Sequence, residues 1–158
     1  MKSAYLTIDD GPSEDWKAKL SFLEAQGIPA VWFCEGQALQ AQPDFAPTAI
    51  HRGDVIANHS CDHPRFSESS LDECERQILR TDELIDRAYS EARAGRPAKF
   101  FRFPGGDKGG QVQDVTEGRQ RKAYLQDLLR RHGYWQPSFP GVTYQYYREQ
   151  GYLTDIDW

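Results

Sequence analysis

The sequence predicts an α/β domain built around a mainly parallel sheet. Three observations carry that assignment. Short apolar runs rich in β-branched and aromatic residues, at positions 4–8, 30–34, 54–57, 99–103 and 152–156, are separated by longer charged stretches with helical spacing. Strands alternating with helices in this way pair in parallel, because each helix supplies the crossover. Finally, the side chains suited to chemistry fall just after the apolar runs, and in parallel sheets functional groups collect at that carboxyl rim.

The first run, residues 4–8, ends at Asp9-Asp10-Gly11-Pro12, a tight turn. A helix follows, with Ser13 as its cap, Glu14 and Asp15 in its first turn, and Trp16, Leu20 and Leu23 on one face. It stops at Gly27-Ile28-Pro29. Strands at 30–34 and 54–57 come next. The longest helix, residues 71–94, sets Leu71, Cys74, Ile78, Ile85 and Ala88 at helical intervals beneath many charges, ending before Gly95 and Pro97. After the run at 99–103, a helix over 120–131 stops at His132-Gly133, and a short one over 144–150 stops at Gly151, ahead of the last strand.

With 158 residues the chain makes one domain with a sizeable core, and is too short for a complete (β/α) barrel of usual size. A net charge of −5 and a pI near 5.4 argue against a nucleic-acid partner. The basic residues at 119–122 and at Arg130-Arg131 lie on a helix, where a solvated face is the default. Three cysteines, Cys34, Cys61 and Cys74, without Cys-x-x-Cys spacing, do not make a disulfide framework. No signal peptide or membrane-spanning run is visible, so the expectation is a soluble, cytoplasmic protein, or an exported one if a leader has been removed. Oligomeric state is left open.

His59 and His63 are two of only four histidines. Neutral imidazole is the commonest transition-metal ligand, and a pair on one short segment closes on a single ion at little entropic cost. The competing reading is a solvated helix face. Pro64 argues against it, because the residue before a proline is pushed out of the helical region, which places His63 at a turn or an extended end. Asp9 and Asp10 are ordinary turn formers, yet adjacent carboxylates at the end of a buried strand repel unless a cation intervenes. Arg102, within Phe100-Phe101-Arg102-Phe103-Pro104-Gly105-Gly106, is expected to be partly buried and to need a carboxylate from Asp9 or Asp10; alternatively its stem lies on apolar surface with the head in water. Cys61 reads as a bystander between the histidines. The glycine-rich stretch 105–110 lacks the spacing of a phosphate loop and reads as a mobile loop beside the site. His51 and His132 read as helix-end histidines.

Taken in order with Leu153-Thr154-Asp155-Ile156-Asp157-Trp158, these segments resemble the polysaccharide deacetylase, or NodB-homology, family, the family 4 metal-dependent carbohydrate esterases. Thr7-Ile8-Asp9-Asp10-Gly11-Pro12, His59 to His63, Arg102-Phe103-Pro104-Gly105-Gly106 and Asp157-Trp158 correspond to its first four motifs. Gly105 stands where the family usually has Tyr, and Asp155 is displaced from the usual upstream Asp. The fifth motif, Leu-x-x-His, has no counterpart. The resemblance implies an incomplete, distorted (β/α) barrel, a single deacetylase-like domain over 1–158 truncated at its C-terminus. It implies one divalent ion, zinc first with cobalt or nickel as alternatives, on Asp10, His59 and His63. Asp9 would be the general base, Arg102 its tether, Gly105 an oxyanion donor through its N–H, and Asp157 a support for Arg102. The implied reaction is hydrolysis of N-acetyl or O-acetyl groups on a glycan such as chitin oligomers or peptidoglycan. The alternatives are a small-amide hydrolase of the same fold, or a weakly active metal- or glycan-binding domain lacking the catalytic acid.

Overall fold

The computed structural model describes residues 6–110 and 112–135. Three strands, β1 (Leu6–Gly11), β2 (Ala30–Cys34) and β3 (Val55–Asn58), pair in parallel in the order β1-β2-β3. The crossovers are α1 (Trp16–Gln26) between β1 and β2, and α2 (Gly36–Ala41) with α3 (Phe45–His51) between β2 and β3. After β3 come α4 (Leu71–Glu91), a single 3₁₀ turn at Pro104–Gly106, and α5 (Val115–Arg131). The register sets Cys34 beside Gly11 on one side and Asn58 on the other, so the three strands end on one rim.

Most of the apolar residues that suggested α1, β2 and α4 are the ones these elements bury. Trp16, Leu20 and Leu23 of α1 join Trp32, Phe45, Ile56, Ile85 and Tyr89 in one core. Phe66, Cys74, Ile78, Phe101, Phe103, Leu125 and Leu128 form a second. Because α4 contributes to both, it is the shared wall of the two cores. Asp54, at the start of the β3 run, is buried but fully engaged: it accepts from Ala30 N–H (2.9 Å) and Trp32 Nε1 (3.1 Å) and pairs with Arg52 (2.6 Å).

Several sequence expectations are corrected. Ser13 does not cap α1. The N-cap is Asp15, which makes no capping bond, because its carboxylate is taken by the Ser13 hydroxyl (2.6 Å) and Lys19 (2.9 Å). The C-terminal end of α1 follows the pattern, with Gly27 at φ 65 and Ile28 N–H bonding Leu23 O. Helix α4 stops at Glu91, short of residue 94, since Arg93 adopts φ 53 and Ala94 N–H closes on Tyr89 O. Helix α5 starts at Val115, not 120, because Asp114 accepts from Thr116 and Glu117 N–H (2.7 and 3.1 Å). Helices α2 and α3 went unread.

The fourth run, 99–103, is reduced to two parallel bridges, Asn58 with Phe101 and Lys99 with Tyr134. Upstream, Ile56 N–H is taken by the Tyr89 hydroxyl (3.2 Å), and downstream the chain turns at Ser60 (φ 67), so the ladder stops on both sides of Asn58. The helix and strand expected over 144–156 lie outside the described residues. Among the described residues no helix is long and apolar enough to cross a membrane.

Where α4 meets this fourth run, Asp82 accepts from Arg96 (2.6 Å), Lys99 (2.6 Å) and Tyr134 OH (2.9 Å). Burial pushes its carboxyl up, but the Lys99 and Arg96 bonds outweigh it and hold the group below its ordinary value of 3.8. Removing one partner of a buried pair leaves the other charges uncompensated, so Asp82→Asn is expected to cost about 3 kcal/mol at neutral pH. Because the folded-state value is depressed, the stability Asp82 adds is complete above 3.8 and is lost only as pH falls through the lower folded value. Urea denaturation from pH 8 to pH 3 checks this: the gap between wild type and variant should hold constant and narrow only below 3.8.

Candidate metal centre

The rim carries its chemistry on the strand ends. Along β1, residues i and i+2 share a face. Accordingly Thr7 Oγ1 and Asp9 Oδ1 both accept from Arg102 Nη1, at 3.2 and 2.5 Å, whereas Asp10 takes other partners. The ladder shifts register between Ile8 and Gly11, and Asp10 sits at φ 55, which is uncommon for a residue bearing a side chain. Asp10 Oδ1 lies 3.2 Å from His59 Nε2 and 3.4 Å from His63 Nε2. The three candidate ligand atoms all fall within 4.8 Å of one another, and Asp10, His59 and His63 are the only such group among the described residues.

His59 follows β3 directly and is almost fully buried. Its N–H donates to Cys34 O (2.9 Å), and its Nδ1 stands 2.8 Å from the carbonyl oxygen of Arg102. A carbonyl only accepts, so Nδ1 carries the proton. In the neutral ring Nε2 is then a bare lone pair aimed at a carboxylate. Two acceptors at that distance repel unless something positive lies between them. His63 is half-exposed, with φ 57, and its N–H donates to Ser60 Oγ (3.2 Å). Pro64 thus excludes helix at His63, as expected, but the residue is left-handed rather than extended.

Arg102 is held by stacking as well as charge: its guanidinium carbon sits 4.1 Å above the Phe33 ring. Of the two acids the sequence offered it, Asp9 is the partner. Gly105, at φ 59, is exposed and borders a small cleft of about 270 Å³ with His63, Pro64, Arg65, Pro104 and Asp107. The stretch after Gly105, expected to be mobile, is pinned. Buried Asp107 accepts from Ser67 N–H (2.9 Å), Ser67 Oγ (2.6 Å) and Gly109 N–H (2.9 Å).

Cys61 lies between the two histidines but is buried, and burial pushes its thiol up, which disfavours the thiolate a metal needs. His51 bonds Ala92 O (3.1 Å), and His132 caps α5, 3.8 Å from Glu75; both stand away from the rim. Asp155, Asp157 and Trp158 lie outside the described residues. Sequence reasoning missed Asn58, Gln77 and Phe33. Gln77 did leave a signal, an amide set within the apolar stripe of α4 between Cys74 and Ile78.

Comparison with known proteins finds relatives of this chain. The family model for polysaccharide deacetylase matches residues 1–123. A peptidoglycan-N-acetylglucosamine deacetylase of Bacillus cereus is 33% identical over 103 residues, which is 65% of this chain and 36% of that protein. A family 4 carbohydrate esterase from Streptomyces lividans, solved in complex with acetate, superposes with a TM-score of 0.58 at 30% identity, covering 77% of this chain and 58% of that one. A CE4 family pseudoenzyme from Bacillus anthracis shares the fold, with a TM-score of 0.63 at 21% identity over 82% of this chain and 40% of its own. The chain thus spans between about a third and three fifths of these proteins. Since the family model covers residues 1–123 of a chain that folds around a parallel α/β sheet, the chain belongs to the polysaccharide deacetylase family, whose solved members are NodB-type (β/α) barrels.

Proposed function

We propose that this chain is a metal-dependent deacetylase that removes N-acetyl groups from N-acetylglucosamine units of a peptidoglycan- or chitin-type glycan. One divalent ion, zinc first, would be held by Asp10, His59 and His63. The observation that carries this reading is the convergence of His59 Nε2 and His63 Nε2 on Asp10 Oδ1, with His59 Nδ1 turned the other way, 2.8 Å from Arg102 O. Two imidazoles and one carboxylate match the ligand chemistry of a catalytic zinc site, which keeps open coordination positions. When bound, the ion would polarise the acetyl carbonyl and acidify a water.

The remaining roles belong to the chain's own groups. Asp9 accepts from Arg102 Nη1, which also donates to Thr7 Oγ1, and acts as the base that takes the water proton. Arg102 orients Asp9, and its own carbonyl fixes the His59 ring, so one residue couples base and ligand. The Gly105 N–H, at the mouth of the cleft beside His63, serves the developing oxyanion. Asp157 supports Arg102 in this scheme.

Elemental analysis of the purified protein should find a single ion per chain in wild type and none in His59→Ala, His63→Ala or Asp10→Ala. Equal metal content in all four would sink the ligand assignment. Asp9→Asn should keep its metal and lower acetate release from N-acetylglucosamine oligomers by about 10²–10⁴-fold. A metal-free Asp9→Asn would instead make Asp9 a ligand. Wild-type protein that cleaves small acetamides but no oligomer would replace the glycan reading with a small-amide hydrolase.

A further inference from the structure

We propose that Gln77 of α4, acting together with Asn58, is a positioning residue of the metal centre: it holds the turn that carries His59 and His63 in ligand geometry. The proposal rests on the reading of Asp10, His59 and His63 as a metal site. The turn contains two left-handed residues that are not glycine, Ser60 (φ 67) and His63 (φ 57). Such conformations persist only where the surroundings over-determine them.

Here the surroundings are side chains. Ser60 N–H donates to Asn58 Oδ1 (2.8 Å), Cys61 and Asp62 N–H both donate to Gln77 Oε1 (2.9 and 3.1 Å), and His63 N–H donates to Ser60 Oγ (3.2 Å). Each amide from 60 to 63 therefore ends on a side-chain oxygen. Gln77 supplies two of the four, from another element.

Gln77 is 1% exposed, and its orientation is set from behind, since Nε2 donates to Glu73 Oε1 (2.8 Å). Asn58 Nδ2 is anchored on the same helix through Ile78 O (2.9 Å) and on Tyr134 OH (2.6 Å). On the far side, the turn carbonyls of Ser60 and Cys61 accept from Gly36 and Gln37 N–H (3.0 and 2.9 Å). Gly36 permits that approach because a Cβ there would meet Thr81 Oγ1 at 2.5 Å. The turn is clamped between the start of α2 and the buried face of α4. The clamp fixes the two imidazoles with ring centroids 5.0 Å apart. Neither Gln77 nor Asn58 touches the ligand atoms, so both act through the turn.

The test is zinc affinity, measured by competition with a chromophoric chelator, alongside thermal melting of the metal-free protein. Gln77→Met keeps the bulk of the side chain and removes the acceptor; it should fold and bind zinc about 10–100-fold more weakly, the range for residues that support metal ligands from behind. Wild-type affinity in Gln77→Met overturns the proposal, and so does a weakened affinity matched by a lowered melting temperature of the metal-free protein, since that would be packing. If Gln77→Met does not fold, Gln77→Asn, which withdraws the amide by one methylene, decides by the same affinity reading. Should His59→Ala bind zinc as tightly as wild type, the metal-site reading itself fails and takes this proposal with it.

Discussion

The buried amide of Asn58 is the constraint around which this rim is arranged. As the last residue of β3, Asn58 pairs in register with Cys34, and its backbone N–H donates to Phe100 O while its carbonyl accepts from Arg102 N–H, binding the fourth run to the sheet. Its side chain reaches α4 through Ile78 O, Tyr134 through the phenol oxygen, and the histidine turn through Ser60 N–H. A fully buried primary amide is costly unless its donors and acceptor are all engaged, and here they are. One side chain thereby ties together the sheet, the longest helix and the histidine turn.

From there the order spreads by electrostatics. Tyr134, which meets Asn58, also donates to Asp82, whose carboxylate gathers Arg96 and Lys99. The Tyr134 phenol is pushed well above its ordinary value, first by burial and then by the Asp82 charge, so it stays neutral and able to donate. The charged cluster thus sits behind the site, on the far side of Asn58 from the histidines. On the near side the two acids of the Asp-Asp pair are divided by backbone geometry: Asp9 faces Arg102 and Asp10 faces the histidines. Neighbouring identical residues acquire different partners because the backbone leaves regular strand geometry between them, the ladder shifting register and Asp10 turning to φ 55.

The strands and helices that sequence patterning identified are those whose information is local. β2 is legible to the residue because Ala30–Cys34 is a continuous apolar run between a Gly-Ile-Pro stop and Glu35-Gly36. α4 was recognised by its apolar stripe. What went astray was local chemistry diverted by a neighbour. Ser13 bonds the Asp15 carboxylate instead of an amide, and Arg93 closes α4 where a glycine was expected further on. Helices α2 and α3 are six and seven residues long, too short for periodicity to register. The capping group of α5 is written in Asp114 with Glu117 three residues later.

The sequence by itself determined the parallel α/β class, the family, and the candidate ligands, because ordered motifs at strand ends are a statement about residue type and spacing. It also determined that His63 is not helical, since Pro64 acts on it directly. Only the tertiary structure decided which acid Arg102 holds, which nitrogen of His59 is free, and that Gln77 and Asn58 carry the turn between the histidines. Those depend on contacts between residues far apart in the chain: Arg102 with Asp9, His59 with Arg102, Cys61 with Gln77. A hydrogen bond has direction and a reach of about 3 Å. Its partner is fixed only once packing has brought the two groups together.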